Sequence, residues 1–134
     1  MKLVILGKAV NDYNKKENEE VWTVGTHIYD KADKYFEFHH LPINHDGEKI
    51  TEVPVFLRNH YLPLNNSICI MLALACEKYN FEEITIIGSP MNTKKEYIDQ
   101  RSALAYVVGY YTGKGKKVNW IDLPKNNNYG IDKK

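Results

Sequence analysis

The stretch NNSICIMLALACEKYNFEEITII, residues 65–87, restricts the fold more than any other part of the chain. Asn65, Asn66 and Ser67 offer side chains that accept hydrogen bonds from the first unpaired N–H groups of a helix. Behind them Ile68, Met71, Leu72 and Ala75 recur at helical spacing, and Ile70, Ala73 and Leu74 widen the apolar face. The spacing predicts a largely buried helix running to about residue 79. Residues 83–87 (EITII) then form a short apolar run of the kind that makes a central strand. A covered helix leading into a covered strand calls for a layered α/β arrangement.

The rest of the chain repeats that alternation. Residues 2–6 (KLVIL) form a second central-strand run, ending at Gly7. Residues 7–20 are polar and lysine-rich, with weak helical character at 15–20, and residues 21–26 (VWTVGT) predict another strand. Tyr35-Phe36-Glu37-Phe38 predicts a third, ending at His39-His40, before an irregular segment at 40–51. Residues 53–57 (VPVFL) suit a short edge strand, because Pro54 has no N–H to give a ladder. Residues 93–112 predict a long helix, and 117–121 (KVNWI) a strand that closes the sheet. The expected fold is a single Rossmann-like three-layer sandwich with a mostly parallel sheet of about five to six strands. Residues 1–123 are expected to form one domain and 124–134 a polar tail.

Composition excludes several function classes. Eighteen Lys and Arg against 17 Asp and Glu give no overall attraction to nucleic acid or anionic membranes. No apolar run reaches the roughly 18 residues of a membrane span, and the apolar start is too short for a secretory signal. The two cysteines, Cys69 and Cys76, lie roughly 10 Å apart along one helix, too far to bridge. A reduced cytoplasmic protein is the expectation. The ten tyrosines are the compositional oddity, suited to rimming a small core or walling a pocket.

In a parallel sheet, ligands bind beyond the carboxyl ends of the strands, where the strand order reverses. That points to residues 7–11, 26–27, 39–40 and 88–92. Gly7-Lys8-Ala9-Val10-Asn11 can present backbone N–H groups and a lysine to phosphate oxygens, although one glycine after a strand is commonly just a turn. Neither GxGxxG nor GxxxxGK[ST] is present. Thr93-Lys94-Lys95-Glu96 matches a capping box, which explains Glu96 without any ligand.

Tyr97, Arg101, Leu104, Ala105 and Val108 fall at i, i+4, i+7, i+8 and i+11 and predict a core-facing stripe. Arg101 then stands on an apolar face, with Gln100 beside it, where an unpaired guanidinium is costly. It requires an acidic partner (Glu96, Glu37 or Asp99), backbone carbonyls or an anionic ligand. Five histidines without an HExxH or other tight spacing give no metal site, and no motif calls for a cofactor. His39, at a strand end, is a candidate pocket group. Ser67 and Ser89 are the available hydroxyls, but GSP lacks the GxSxG elbow and Ser67 suits a helix cap.

Taken in order, the strand–glycine loop, WTVGT, YFEFHH, VPVFL, S-x-x-x-M-x-A-L-A and E-Y-x-x-Q-R resemble small Rossmann-like proteins of bacteriophages. These in turn look like distant relatives of the hydroxymethylpterin pyrophosphokinase-like domain family. The resemblance spans roughly residues 2–121. It implies a nucleotide-type ligand near Gly7, Ser67, Gly88 and the turn from Glu96 to Arg101. The first loop is only GKAV here, and Ser89-Pro90-Met91-Asn92 replaces a frequent acidic residue. Both are departures from the family's pattern, and the loss of the acidic residue tells against magnesium-dependent pyrophosphoryl transfer.

Three functions are therefore in view. The first is a binding module in a bacterial host's cytoplasm that sequesters a nucleotide-derived immune signal, an ADP-ribose derivative or cyclic nucleotide. Its expected contacts are Gly7, Lys8, Asn11, His39, Ser67, Ser89, Glu96, Tyr97, Gln100 and Arg101. The second is a nucleotide or nucleoside transferase or hydrolase using Glu96 with His39 as its candidate catalytic pair. The third is a tyrosine-rich interaction domain that forms a homodimer.

Overall fold

In a computed structural model of the chain, the described residues are 1–58, 61–89 and 95–121, with only the backbone described at 95–97. Six strands form one sheet: β1 (Lys2–Leu6), β2 (Glu19–Val24), β3 (Lys34–Phe36), β4 (Glu48–Ile50), β5 (Glu83–Ile87) and β6 (Val118–Trp120). The helices are α1 (Val55–Arg58), α2 (Ser67–Lys78) and α3 (Lys95–Gly113). The strand order is β4-β3-β2-β1-β5-β6, and every neighbouring pair is parallel. The expected α/β sandwich is present as an open, wholly parallel sheet.

The chain steps outward from β1 through β2, β3 and β4, then returns past β1 to β5 and β6. Right-handed crossovers in opposite directions must run over opposite faces. The side chains of β1 follow that rule. Leu3 and Ile5 join the core with α2 and α3, whereas Val4 and Leu6 join Val21, Tyr29, Ala32 and Tyr35 on the other face. The connections 7–18, 25–33 and 37–47 contain no helix and cover that second face as loops.

Trp22, wholly buried, anchors the helix side against Phe36, Tyr79 and Phe81, with ring centroids at 5.1, 5.2 and 5.8 Å. Helix α2 is buried continuously from Ile68 to Cys76, so both cysteines are free and enclosed. Burial pushes each thiol up to about 12.

Four local expectations change. VPVFL is no edge strand: the Pro54 carbonyl accepts the Leu57 N–H at 3.0 Å, and Val55–Arg58 turns into α1, with Pro54 just before its first turn, where a missing N–H breaks no helical hydrogen bond. The outer strand is instead Glu48–Ile50, inside the segment expected to be irregular; the Glu48 carboxylate pairs with Lys34 Nζ at 2.7 Å. Residues 15–20 are not helical, because Glu19 and Glu20 already belong to the strand beside β1. The α2 cap is Asn66, whose side chain accepts the Cys69 N–H at 3.0 Å, and Ser67 is the first helical residue. The predicted capping box at Thr93 and the tail at 124–134 lie outside the described residues.

Candidate functional site

The strand order reverses between β1 and β5, so the carboxyl edge there is the place to look. Two glycine turns meet at that point. The Gly7 N–H donates to the Ile87 carbonyl at 2.6 Å and the Ala9 N–H to the Gly88 carbonyl at 3.1 Å. A Cβ on Gly7 would lie 2.0 Å from Ser89 Oγ and 2.2 Å from the Gly88 oxygen. Gly88 itself has φ +81°, a left-handed conformation that favours glycine. The Val10 N–H turns back to the Gly7 carbonyl at 3.4 Å. Three of the backbone donors after β1 thus face protein acceptors, and the stretch offers an incoming anion chiefly Lys8. Its ammonium is exposed and donates to Thr26 Oγ1 at 3.2 Å, while Asn11 is exposed nearby in the chain.

His27 braces this turn from below. Its Nδ1 accepts the Tyr29 N–H at 3.0 Å, so the ring proton is on Nε2, which donates to the Gly7 carbonyl at 3.0 Å. His45 Nε2 lies 2.7 Å from the His27 carbonyl, and its ring stacks on Tyr35 at 4.2 Å. Burial lowers the His27 pKa below its ordinary 6.5; the Gly7 carbonyl opposes that shift, and Lys8 and His45 add to it. The unfolded chain therefore takes up this proton at higher pH than the folded chain does. Stability should hold above about pH 6.5 and fall below it, by up to about 1.4 kcal/mol per pH unit until the folded ring also protonates. Thermal melts from pH 8 to pH 5 test this: His27→Gln, which keeps a donor and an acceptor, should flatten the acid limb, and an unchanged limb would place the proton elsewhere.

On the other side of the reversal, Ser89 is buried and its carbonyl accepts the Trp120 Nε1–H at 3.2 Å. The starts of α2 and α3 are joined by Asn66, whose Nδ2 donates to the Gln100 carbonyl at 3.4 Å. Ser67 and Gln100 are half-buried at this junction. Arg101 follows on the second turn of α3. Its Nε is buried and has no hydrogen-bond partner among the described residues. None of the three acids expected as partners takes that role among the described contacts. Asp99 is exposed, the side chain of Glu96 lies outside the described residues, and the Glu37 carboxylate accepts the His39 N–H at 2.9 Å.

The apolar stripe of α3 differs from the expected one. Ala103, Leu104, Val107 and Tyr111 are its buried members, while Ala105 is exposed and Arg101 lies at the margin. The side chain of Tyr97 lies outside the described residues.

The structure therefore brings Gly7, Lys8 and Ser89 to the β1–β5 reversal, and sets Ser67, Gln100 and Arg101 at the neighbouring helix starts. His39 stands apart, two strand spacings or roughly 10 Å from β1. Its ring is 79% exposed, with Nδ1 3.6 Å from the buried Glu37 carboxylate. Beyond it, Phe38, His40, Thr51, Glu52, Val53 and Arg58 line an open cleft of about 350 Å³ at the ends of β3 and β4. Arg58 already donates there to the Val53 carbonyl and to Glu52. Nothing in the residue pattern announced this cleft, because VPVFL suggested a strand where α1 stands. Among the described residues, no group of three or more His, Cys, Asp or Glu is placed to hold a metal, and no helix is long and apolar enough to cross a membrane.

Comparison of the chain with protein-family models, curated proteins and solved structures returned no match.

Proposed function

We propose that this chain binds a nucleotide-derived small molecule at the carboxyl edge of its sheet and holds it without turnover. The observation that carries the proposal is Arg101. A buried guanidinium Nε with no acceptor among the described residues is costly in the free protein, and an anionic oxygen supplies the missing acceptor. Its position supports a ligand over a purely structural role, because α3 starts at the same sheet edge as the β1–β5 reversal. Lys8 adds a second positive charge on the β1 side of that edge.

A phosphate or pyrophosphate near Arg101, with its base and sugar along the helix starts, fits this arrangement. The likeness to small phage proteins supports one biological version, the sequestration of a host's nucleotide immune signal in the bacterial cytoplasm. ADP-ribose derivatives and cyclic nucleotides are the chemical classes concerned.

Calorimetric titration with ADP-ribose, NAD, cyclic mononucleotides and cyclic dinucleotides tests the proposal, followed by mass spectrometry of the recovered compound. Saturable binding of a compound returned unchanged is the expected result. A compound returned altered would make the chain an enzyme and turn attention to His39 above Glu37. Absence of saturable binding across the panel would overturn the proposal.

A further inference from the structure

Helix α3 has a buried face and an outer face, and from residue 102 onward the outer one lacks the charges that usually meet water. Residues 102–113 contain no Asp, Glu, Lys or Arg. On the outer side, Ile98 and Tyr106 are 43% and 58% exposed, and Ser102, Ala105, Gly109 and Gly113 are exposed with them. An uncharged helix face that carries exposed apolar side chains is the kind of surface another molecule covers, as α2 is covered from Ile68 to Cys76 within this chain. Tyr61 reaches α3 through a 2.8 Å contact between its hydroxyl and that of Tyr110, but it is itself 75% exposed and leaves this face open.

We propose that the outer face of α3 is covered by the same face of a second copy of this chain. The two helices run antiparallel about a two-fold axis passing between Ala105 and Tyr106. The sequence is self-complementary in this arrangement. The axis sets Tyr106 against Ala105 of the partner subunit, Ser102 against Gly109 of the partner subunit, and Ile98 against Gly113 of the partner subunit. Each larger side chain thus meets a small residue, and the helices can approach closely. A Cβ at Gly109 or Gly113 would touch nothing within 4 Å in the single chain, so the space for that approach is open.

Charge fits the same register. Asp99 and Lys114 are both exposed near opposite ends of the stripe, with the Lys114 ammonium over the Tyr110 ring, 4.9 Å from its centroid, on the flank of the helix. Antiparallel pairing brings Asp99 within about two residues, roughly 3 Å along the axis, of Lys114 of the partner subunit, twice by symmetry. A net formal charge of +1 leaves no collective repulsion to oppose self-association.

Sedimentation velocity across protein concentrations from about 10 to about 300 µM tests the proposal. The expected result is a monomer–dimer equilibrium. Gly109→Lys should abolish the dimer, while at concentrations low enough for the wild type to be monomeric its thermal midpoint stays level or rises, since the new side chain meets open space in the single chain and replaces a helix-interior glycine. Asp99→Lys alone and Lys114→Glu alone should each weaken association at least tenfold, and the double exchange should restore it. A wild-type chain that stays monomeric throughout, or only joins a different protein, would overturn the proposal. So would a dimer that survives Gly109→Lys, or singles and double that behave alike.

Discussion

Arg101→Met is expected to make the free chain more stable and to remove its nucleotide binding. The two effects share one cause. An unsatisfied buried polar atom costs about 1–3 kcal/mol, and methionine keeps much of the arginine stem's apolar contact without that atom. A gain of about 1 kcal/mol is expected, which for a chain of this length raises the melting midpoint by about 4 °C. The loss appears with the nucleotide present. A charge-assisted contact to an anionic oxygen contributes about 2–4 kcal/mol, so affinity should fall roughly 30- to 1,000-fold. The two melting curves then cross: Arg101→Met melts higher alone, and the wild type melts higher with a bound nucleotide. A structural ion pair would give the opposite sign, because removing one partner of a buried pair costs about 3–5 kcal/mol. Differential scanning fluorimetry of both chains, with and without the nucleotide selected by calorimetry, separates the cases.

Gly7→Ala is expected to be the most damaging small substitution at the sheet edge. Its methyl group would sit 2.0 Å from Ser89 Oγ, 2.2 Å from the Gly88 oxygen and 2.6 Å from the Gly88 carbonyl carbon. A serine hydroxyl can rotate away, but the Gly88 backbone cannot, because the Ala9 N–H and the β5 ladder hold it. Relief requires β1 and β5 to part at the point of reversal, breaking the Gly7–Ile87 hydrogen bond. Overpacking of this kind against backbone costs about 3 kcal/mol or more. Gly109→Ala is the control: in the single chain the same added methyl meets nothing, and at concentrations too low for copies to associate a small gain in helix stability is expected. Urea denaturation of the two variants measures the contrast. Equal effects would mean that the glycine turns are not packed as described.

How far the fold was legible in the residues depended on whether an element carries its own signal. KLVIL is buried on both faces, and EITII is buried on one face and half-buried on the other, so their apolar runs announce central strands directly, and the N-capped α2 is equally plain. Glu48–Ile50 carries no such signal. It is three residues long, two of them charged, and becomes a strand only because β3 offers a ladder and Lys34 a counter-charge. VPVFL shows the reverse: its proline cannot join a ladder and so suits a sheet edge, yet it stands immediately before a helix.

The stripe of α3 was misaligned for a related reason. A segment uncharged from Ser102 to Gly113 supports more than one apolar face, and which one turns inward is decided by α2 and β6 rather than by periodicity. That same ambiguity is what leaves a second face for another molecule.

The glycine after β1 shows why site chemistry was harder to foresee than topology. From sequence, Gly7 is a turn that can cradle phosphate. In the structure its N–H and those of Ala9 and Val10 face protein carbonyls, an arrangement set by contacts with residues 87–89, some eighty positions away in sequence. Arg101 fared differently. The chemical cost of a guanidinium on an apolar helix was visible in the residues alone, and its buried Nε, without a partner among the described residues, carries the same question into three dimensions.

The most direct measurement is the side-chain Nε–H resonance of Arg101 in a nitrogen-15 correlation spectrum, assigned by its loss in Arg101→Met. In the free chain it should be present and slow to exchange with solvent, because the atom is buried. On titration with the nucleotide selected by calorimetry it should move downfield and saturate with the calorimetric affinity, as an N–H that gains an anionic acceptor does. Saturable binding that leaves this resonance unmoved, or that is equally tight in Arg101→Met, would contradict the account.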